Sequence, residues 1–225
     1  MGAHRTIGMT NYDMLRDAIR EDIVAGIFPP GSRLKVSDLT ERYNISAIPI
    51  RDALQQLCGE GFVAIEPNRG ARVREIDAKF LNQIYEIRRA VESYFVQRLA
   101  ERVTRADIAG LRRTVQRHAA ALSRQDNGMV HDLDWEFHRQ IVAATQNEEA
   151  LSVLARHYKM IRPLRVRFGR SSERSLVLVA EHDAIIAAIE AQDGPRAAAL
   201  LEQHIDRSLQ DLIRLVLAGR KAAVS

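Results

Sequence analysis

From residue 78 onward every segment of the chain repeats its apolar residues at the three-to-four spacing of a helix. A chain with that single period buries its apolar faces helix against helix. Helices are expected near 78–103, 105–125, 129–146, 149–169, 174–191 and 194–219. Thr104 with Asp107, Asn127-Gly128 and Asn147 mark three of the breaks, and Gly194-Pro195 opens the last helix with proline near its first position. Six helices of this length make an antiparallel bundle with its own core and room for an interior ligand.

Four polar residues sit where that bundle should be apolar. Asp134 and His138 in Asp134-Trp-Glu-Phe-His138 are four apart and share one helical face. His182 has Val179 behind it and Ile185 and Ile186 ahead, and His204 follows Leu200 and Leu201. A lone histidine on such a stripe is usually a satisfied core residue. One carboxylate and three imidazoles on three helices instead suit a divalent transition metal, Zn or Ni rather than Mg or Ca. An inward carboxylate is costly unless paired or metal-bound. His118, His131 and His157 lack the alignment and read as surface or ordinary packing residues. Arg88 also falls on an apolar stripe, between Ile84 and Val91. A buried guanidinium needs an anion. Its partner is either a protein carboxylate, Glu92 or Asp134, or the carboxylate of a bound effector. Arg162, Arg165 and Arg167 read as a solvated basic face, of which one could line a pocket.

The first third of the chain is different. Apolar spacing predicts a helix over 11–27, ended by Gly26 and Pro29-Pro30-Gly31. Ser37 is expected to cap a short second helix over 38–43, and Asn44 turns into a third helix with Ile50, Ala53, Leu54 and Leu57 inside. Two β-like runs, 62–65 and 71–74, then flank the turn-rich stretch Glu66-Pro-Asn-Arg-Gly70. Three helices and a hairpin make a winged helix-turn-helix order, whose third helix enters the DNA major groove. The bland alternative is a small α+β packing module. Glu75-Ile-Asp77 is expected to link residues 1–75 to the helical domain at 76–225.

Charge does not decide the partner. Residues 1–76 hold ten Lys or Arg against ten Asp or Glu, so that third is neutral. The single Cys58 excludes an internal disulfide and a cysteine-rich zinc site. No apolar run approaches the roughly 18 residues that span a bilayer, so no membrane partner is expected. With no secretory apolar segment at its start the chain is expected to be cytoplasmic. Met1-Gly2-Ala-His-Arg-Thr6 fits the loose myristoylation pattern, which is read as chance.

The segments Gly26-Ile-Phe-Pro-Pro-Gly31-Ser-Arg-Leu34, Ser37-Asp-Leu39, Ile45-Ser-Ala-Ile-Pro-Ile-Arg51-Asp-Ala-Leu54, Leu57, Gly61 and Asn68-Arg-Gly70 closely resemble the GntR family of bacterial transcription regulators. In that family the third helix opens Val-Ser-Arg-Thr-Pro-Val-Arg. Here Ala47 and Ile48 replace the arginine and threonine that typically contact bases and phosphate. An isoleucine can touch a thymine methyl but cannot clamp a guanine. The resemblance assigns DNA contacts to Ser46, Arg51, Asn68, Arg69 and Gly70.

The remainder resembles the FCD ligand-binding domain of the FadR-like branch. The carrying residues are Ile84-Tyr-Glu-Ile87-Arg88-Arg-Ala-Val-Glu92, Asp134-Trp-Glu-Phe-His138-Arg-Gln-Ile141, Asn147, Glu181-His182-Asp183-Ala-Ile185, Ala188-Ile189 and His204-Ile205. Six helices rather than seven place it nearest the VanR-like subgroup. The family pattern puts the metal on Asp134, His138, His182 and His204, the matching positions.

The expected protein is therefore mostly α: a winged helix-turn-helix followed by an FCD-like antiparallel six-helix bundle. It is expected to be a homodimeric DNA-binding regulator, a repressor, reading a near-palindromic operator. A small organic or sugar acid held at the metal by Arg88 would control it. Two alternatives stay open. Ala47 and Ile48 are compatible with a sensor or interaction module impaired in DNA binding. A helical-bundle metalloenzyme would use the ion to activate water, but no His-Glu-x-x-His motif and no partnered nucleophile supports it.

Overall fold

The computed structural model describes residues 11–66 and 70–222, in two compact units, Met1–Ile76 and Asp77–Ser225. The Met1-Gly2 pattern and the wing residues Asn68 and Arg69 lie outside the described residues.

In the first unit α1 (Asn11–Ala25) turns Leu15, Ile19 and Ile23 inward. Helix α2 (Val36–Tyr43) and α3 (Ala47–Glu60) follow, separated by Asn44 at φ 53°, a left-handed conformation that asparagine tolerates. Ser37 is not the cap expected for α2. Lys35 takes that position without a side-chain cap, and the Ser37 hydroxyl donates to Asp38 Oδ1 at 2.9 Å inside the first turn. Ile50, Ala53, Leu54 and Leu57 form the buried face of α3, against which α1 and α2 pack. Gly61, at φ 90°, closes α3; an L side chain there would be strained.

The hairpin pairs β2 (Val63–Glu66) with β3 (Gly70–Val73), Val63 opposite Val73 and Glu66 opposite Gly70. A third strand, β1 (Arg33–Leu34), joins the far edge of β3, giving the order β1-β3-β2. Its two residues are too short for a period-2 pattern to show in sequence. The order of three helices and a wing is that of a winged helix.

The second unit holds six helices among its described residues: α4 (Ala78–Ala100), α5 (Arg105–Ser123), α6 (Asn127–Ala143), α7 (Glu148–Phe168), α8 (Ser172–Glu190) and α9 (Gly194–Ala222). Each starts on a side chain that accepts from an otherwise unpaired backbone N–H. Asp77, Asp126, Asn147 and Ser171 cap α4, α6, α7 and α8, and Thr104 forms a reciprocal capping box with Asp107 on α5. Asp193 accepts from Arg196 at 3.1 Å at the head of α9. Asp126 moves the start of α6 two residues ahead of the expected 129, so Asn127-Gly128 is its first turn rather than a break. Asp77, expected in the linker, belongs to α4 as its cap. Helix α4 packs on α9 and α6, α8 on α9 and α5, and α6 on α5 and α7. That arrangement sets α4, α6, α8 and α9 around one interior.

Among the described residues, no helix is long and apolar enough to cross a membrane.

Candidate metal centre

Helix α6 delivers Asp134 and His138 from one face, α8 delivers His182 and α9 delivers His204. One ligand atom from each lies within 4.8 Å of all the others. None of the four residues exceeds 5% exposure, so bulk water does not solvate them. His138 Nε2 is 3.2 Å from His204 Nε2, which is 3.3 Å from His182 Nε2. Asp134 Oδ1 stands 3.5 Å from His182 Nε2 and 3.8 Å from His204 Nε2. The Phe137 ring stacks on His182 with centroids 4.0 Å apart and holds its plane.

The outer nitrogens determine what faces inward. His138 Nδ1 abuts Glu92 Oε2, a carboxylate that Arg88 Nε–H holds through Oε1 at 2.9 Å. His204 Nδ1 is 2.9 Å from Glu181 Oε2, whose carboxylate is fixed by Arg174 Nη1 at 2.7 Å and Arg207 Nη1 at 2.6 Å. Arg174 Nη2 also comes within 3.0 Å of His204 Nδ1. A ring nitrogen cannot present a lone pair to a carboxylate oxygen, so the Nδ1 proton points to Glu181 and the arginine is there for the carboxylate. Both imidazoles therefore carry their proton on Nδ1. Their Nε2 lone pairs then face each other at 3.2 Å with no proton between them. Asp134 Oδ1 has no hydrogen-bond partner either.

Lone pairs and an orphaned carboxylate oxygen aimed at one point repel unless a cation sits among them. Ligands bound at 2.0–2.1 Å around a tetrahedral ion are separated by about 3.3–3.4 Å, which is the spacing of the imidazole nitrogens here. The residues fit a divalent transition ion.

Electrostatics point the same way. Burial alone would raise the Asp134 carboxyl, but the Arg170 guanidinium beside it holds it well below the usual carboxylate range. Burial pushes His182 and His204 well below the ordinary histidine value. Burial likewise opposes the charge on Glu92, yet Arg88 and His138 hold it down at about 2. A charged carboxylate and neutral imidazoles are the protonation states a metal requires.

The guanidinium of Arg88 thus goes to Glu92, one of its two expected protein partners. Arg170, in the turn between α7 and α8, was not apparent from sequence. Its side chain is 3% exposed, Nη2 lies 3.4 Å from Asp134 Oδ2 and 3.5 Å from His131 Nδ1, and Nη1 has no hydrogen-bond partner. A basic residue beside a glycine reads as a solvated loop, and only the closing of α7 against α8 turns it inward. Of the surface and packing readings offered for His118 and His131, burial beside the cluster leaves packing. The reading of Arg165 is corrected. Arg165 is not on a solvated face. It is 1% exposed and paired with Asp211. Arg162 does lie near the surface, paired with Asp132 at 2.6 Å.

Burial lowers His118 to about 4, against roughly 6.5 in an unfolded chain. Above pH 6.5 neither state is protonated and stability is unaffected. Between 6.5 and 4 only the unfolded chain takes up the proton, so stability falls with pH and levels off near 4. His118 alone should cost about 3 kcal/mol across that window. Urea unfolding of chelator-treated protein should show the loss, and an unchanged midpoint between pH 7 and pH 4.5 would refute it.

In the first unit Ser46 precedes α3, and Ser46, Ala47, Ile48, Arg51, Asp52 and Gln55 are exposed on its outer face. Ile48 is 70% exposed. Gly70 begins β3 with φ 81°, at the turn end of the wing hairpin.

Residues 11–73 match the family described as bacterial regulatory proteins, gntR family, and residues 83–207 match the FCD domain. The chain is 29% identical over 195 residues to the Nta operon transcriptional regulator of Aminobacter aminovorans, covering 84% of this chain and 88% of that one. It is 24% identical over 187 residues to the HTH-type transcriptional repressor RspR of Escherichia coli, covering 83% and 82%. The solved structure of Lar, which controls the Listeria monocytogenes agr system, superposes with a TM-score of 0.74 at 18% identity, over 92% of this chain and 99% of that one. That likeness concerns the fold.

Proposed function

Because the chain belongs to the GntR family of bacterial regulatory proteins and carries an FCD domain, we propose that it is a homodimeric repressor released from its operator by a small carboxylate bound beside a metal ion. The carrying observation is the buried Asp134–His138–His182–His204 cluster, whose inward lone pairs have no proton to share. Two winged helices would read the halves of a near-palindrome, with Ser46 and Arg51 on α3 and Asn68, Arg69 and Gly70 in the wing.

When bound, a Zn or Ni ion supplies an open position that a carboxylate oxygen can occupy. The chain's own residues do the rest. Asp134 and the three histidines hold the ion, and Glu92 and Glu181 orient two of those histidines. Arg170 offers the Nη1 donors that lack a partner, so it is better placed than Arg88 to clamp an incoming organic or sugar acid. Arg88 contributes by keeping Glu92 charged behind His138. Glu92 also lies on α4, whose cap Asp77 directly follows the first unit in the chain. A shift of α4 on ligand capture is thus a direct covalent route between the two units. The repressor role of RspR supports a sensor over an enzyme.

The test is operator binding. A site selected from random DNA should be retarded by the protein, and a panel of small organic and sugar acids should contain one that reverses this only with metal present. Arg170→Gln should raise the concentration of acid needed by 10-fold or more without changing metal content. Arg51→Ala should weaken operator binding by roughly 10- to 100-fold, the loss of one good base or phosphate contact, with metal content intact. Release by the acid in fully metal-stripped protein would sink this scheme.

A further inference from the structure

Behind two of the three imidazoles of the cluster stands a carboxylate, Glu92 for His138 and Glu181 for His204. Behind the third, His182, stands His118. This residue of α5 is 0% exposed, and neither of its ring nitrogens has a hydrogen-bond partner. Its ring centroid is 5.3 Å from that of His182, with the planes tilted by 40°. His182 Nδ1, the nitrogen on the far side of the ring from the cluster, is also without a partner. Three buried polar atoms are therefore left over in one place.

We infer that His118 is the positioning residue for His182, one of its ring nitrogens accepting a hydrogen bond from the Nδ1–H of His182. This rests on the reading of the four-residue cluster as a metal centre. Two neutral imidazoles side by side are complementary, since each has one N–H and one lone pair. A pair sharing an N–H···N bond places its ring centroids roughly 5 Å apart, which is the separation found. The bond would give His182 the same tautomer that the two carboxylates impose on His138 and His204, so that all three Nε2 lone pairs point into the cluster. It also makes the three arms unequal. His182 is backed by a neutral acceptor and is the weakest base of the three, which limits the negative charge gathered around the ion and leaves the ion more electrophilic toward an anion.

The spacing of the apolar stripe explains why His118 arrives there. Ile108, Leu111, Val115, His118 and Ala121 form the buried face of α5, and α5 packs on both α6 and α8, which carry three of the four ligands. Substitution of such an outer partner typically costs 10- to 100-fold in metal affinity.

The experiment compares wild type, His118→Phe and His118→Gln for zinc affinity by chelator competition and for the visible spectrum of the cobalt-loaded protein. His118→Phe should fill the space, fold, and bind zinc 10- to 100-fold more weakly with an altered cobalt spectrum. His118→Gln, whose amide oxygen accepts a hydrogen bond, should recover most of both. A folded His118→Phe that matches wild type in affinity and spectrum overturns the role of His118 while leaving the metal centre standing. A wild type that takes up neither ion overturns the metal centre, and this inference with it. Should His118→Phe fail to fold, nitrogen-15 spectra of zinc-loaded wild type answer instead: a slowly exchanging His182 Nδ1–H coupled to a second imidazole is expected, and an unprotonated or freely exchanging Nδ1 overturns the proposal.

Discussion

His138→Ala should reduce bound zinc or nickel from about one ion per chain to less than a tenth, and with it every metal-dependent stabilisation. His138 stands at the centre of the cluster: its Nε2 faces His204 at 3.2 Å, and its Nδ1 rests on Glu92. Its removal leaves three ligands and frees one oxygen of a carboxylate that is 1% exposed. A ligand present at 100 times its dissociation constant stabilises the native state by about 2.7 kcal/mol. Wild type should therefore melt several degrees higher with metal than with chelator, and the variant should melt at one temperature under both conditions. Elemental analysis after gel filtration, paired with the two melting curves, checks this. His157→Ala, outside the cluster, serves as the control. Stoichiometric metal in His138→Ala would remove the basis for the proposed sensor.

Arg165→Met should destabilise the helical unit by 3–5 kcal/mol, the usual range for breaking a buried ion pair from one side, and lower its melting temperature by roughly 10 °C. Arg165 on α7 donates to Asp211 at 2.7 Å and to the Ser208 carbonyl at 2.6 Å on α9, and to the Gly169 carbonyl at 3.1 Å in the turn before α8. One guanidinium therefore ties α7 to α9 and to the turn that leads into α8. Without it, Asp211, 2% exposed, is left to Ser171, whose N–H lies at 3.3 Å, and to a distant Arg214 at 3.6 Å. The double variant Arg165→Met/Asp211→Leu should recover much of the loss, because it leaves no charge stranded. A single variant as stable as wild type would show that the pair contributes nothing. Since the same turn carries Arg170, Arg165→Met should also weaken the response to acid while metal is retained.

The four residues of the cluster were legible in the sequence because each is an anomaly in a strong periodic background. Asp134 and His138 are four apart, and His182 and His204 interrupt apolar stripes. The positions of the six helices were legible for the same reason, with boundaries displaced by a few residues where a cap such as Asp126 or Ser171 lay outside the apolar pattern. Helix caps are single side chains and leave no periodic trace. Strand β1 was not legible, because two residues carry no period.

The surroundings of the site were a different matter. Arg165, Arg170 and Arg174 lie in or beside a helix break, where basic residues are ordinarily solvated, and their burial follows from how α7, α8 and α9 close on one another. His118 lies on an apolar stripe just as His182 does, so the sequence offered no reason to separate a packing histidine from a positioning one. Arg88 had Glu92 four residues ahead, within reach on one helical face, but that spacing could not exclude an effector as its partner. The periods, breaks and residue types of this chain were sufficient for its helical architecture, and the resemblance of its motifs for the family and for the four residues of the cluster. Which buried charges face each other across different helices was decided by tertiary packing alone. Such pairs join residues up to 46 positions apart, and their energies depend on distances of a few ångströms that no local pattern encodes.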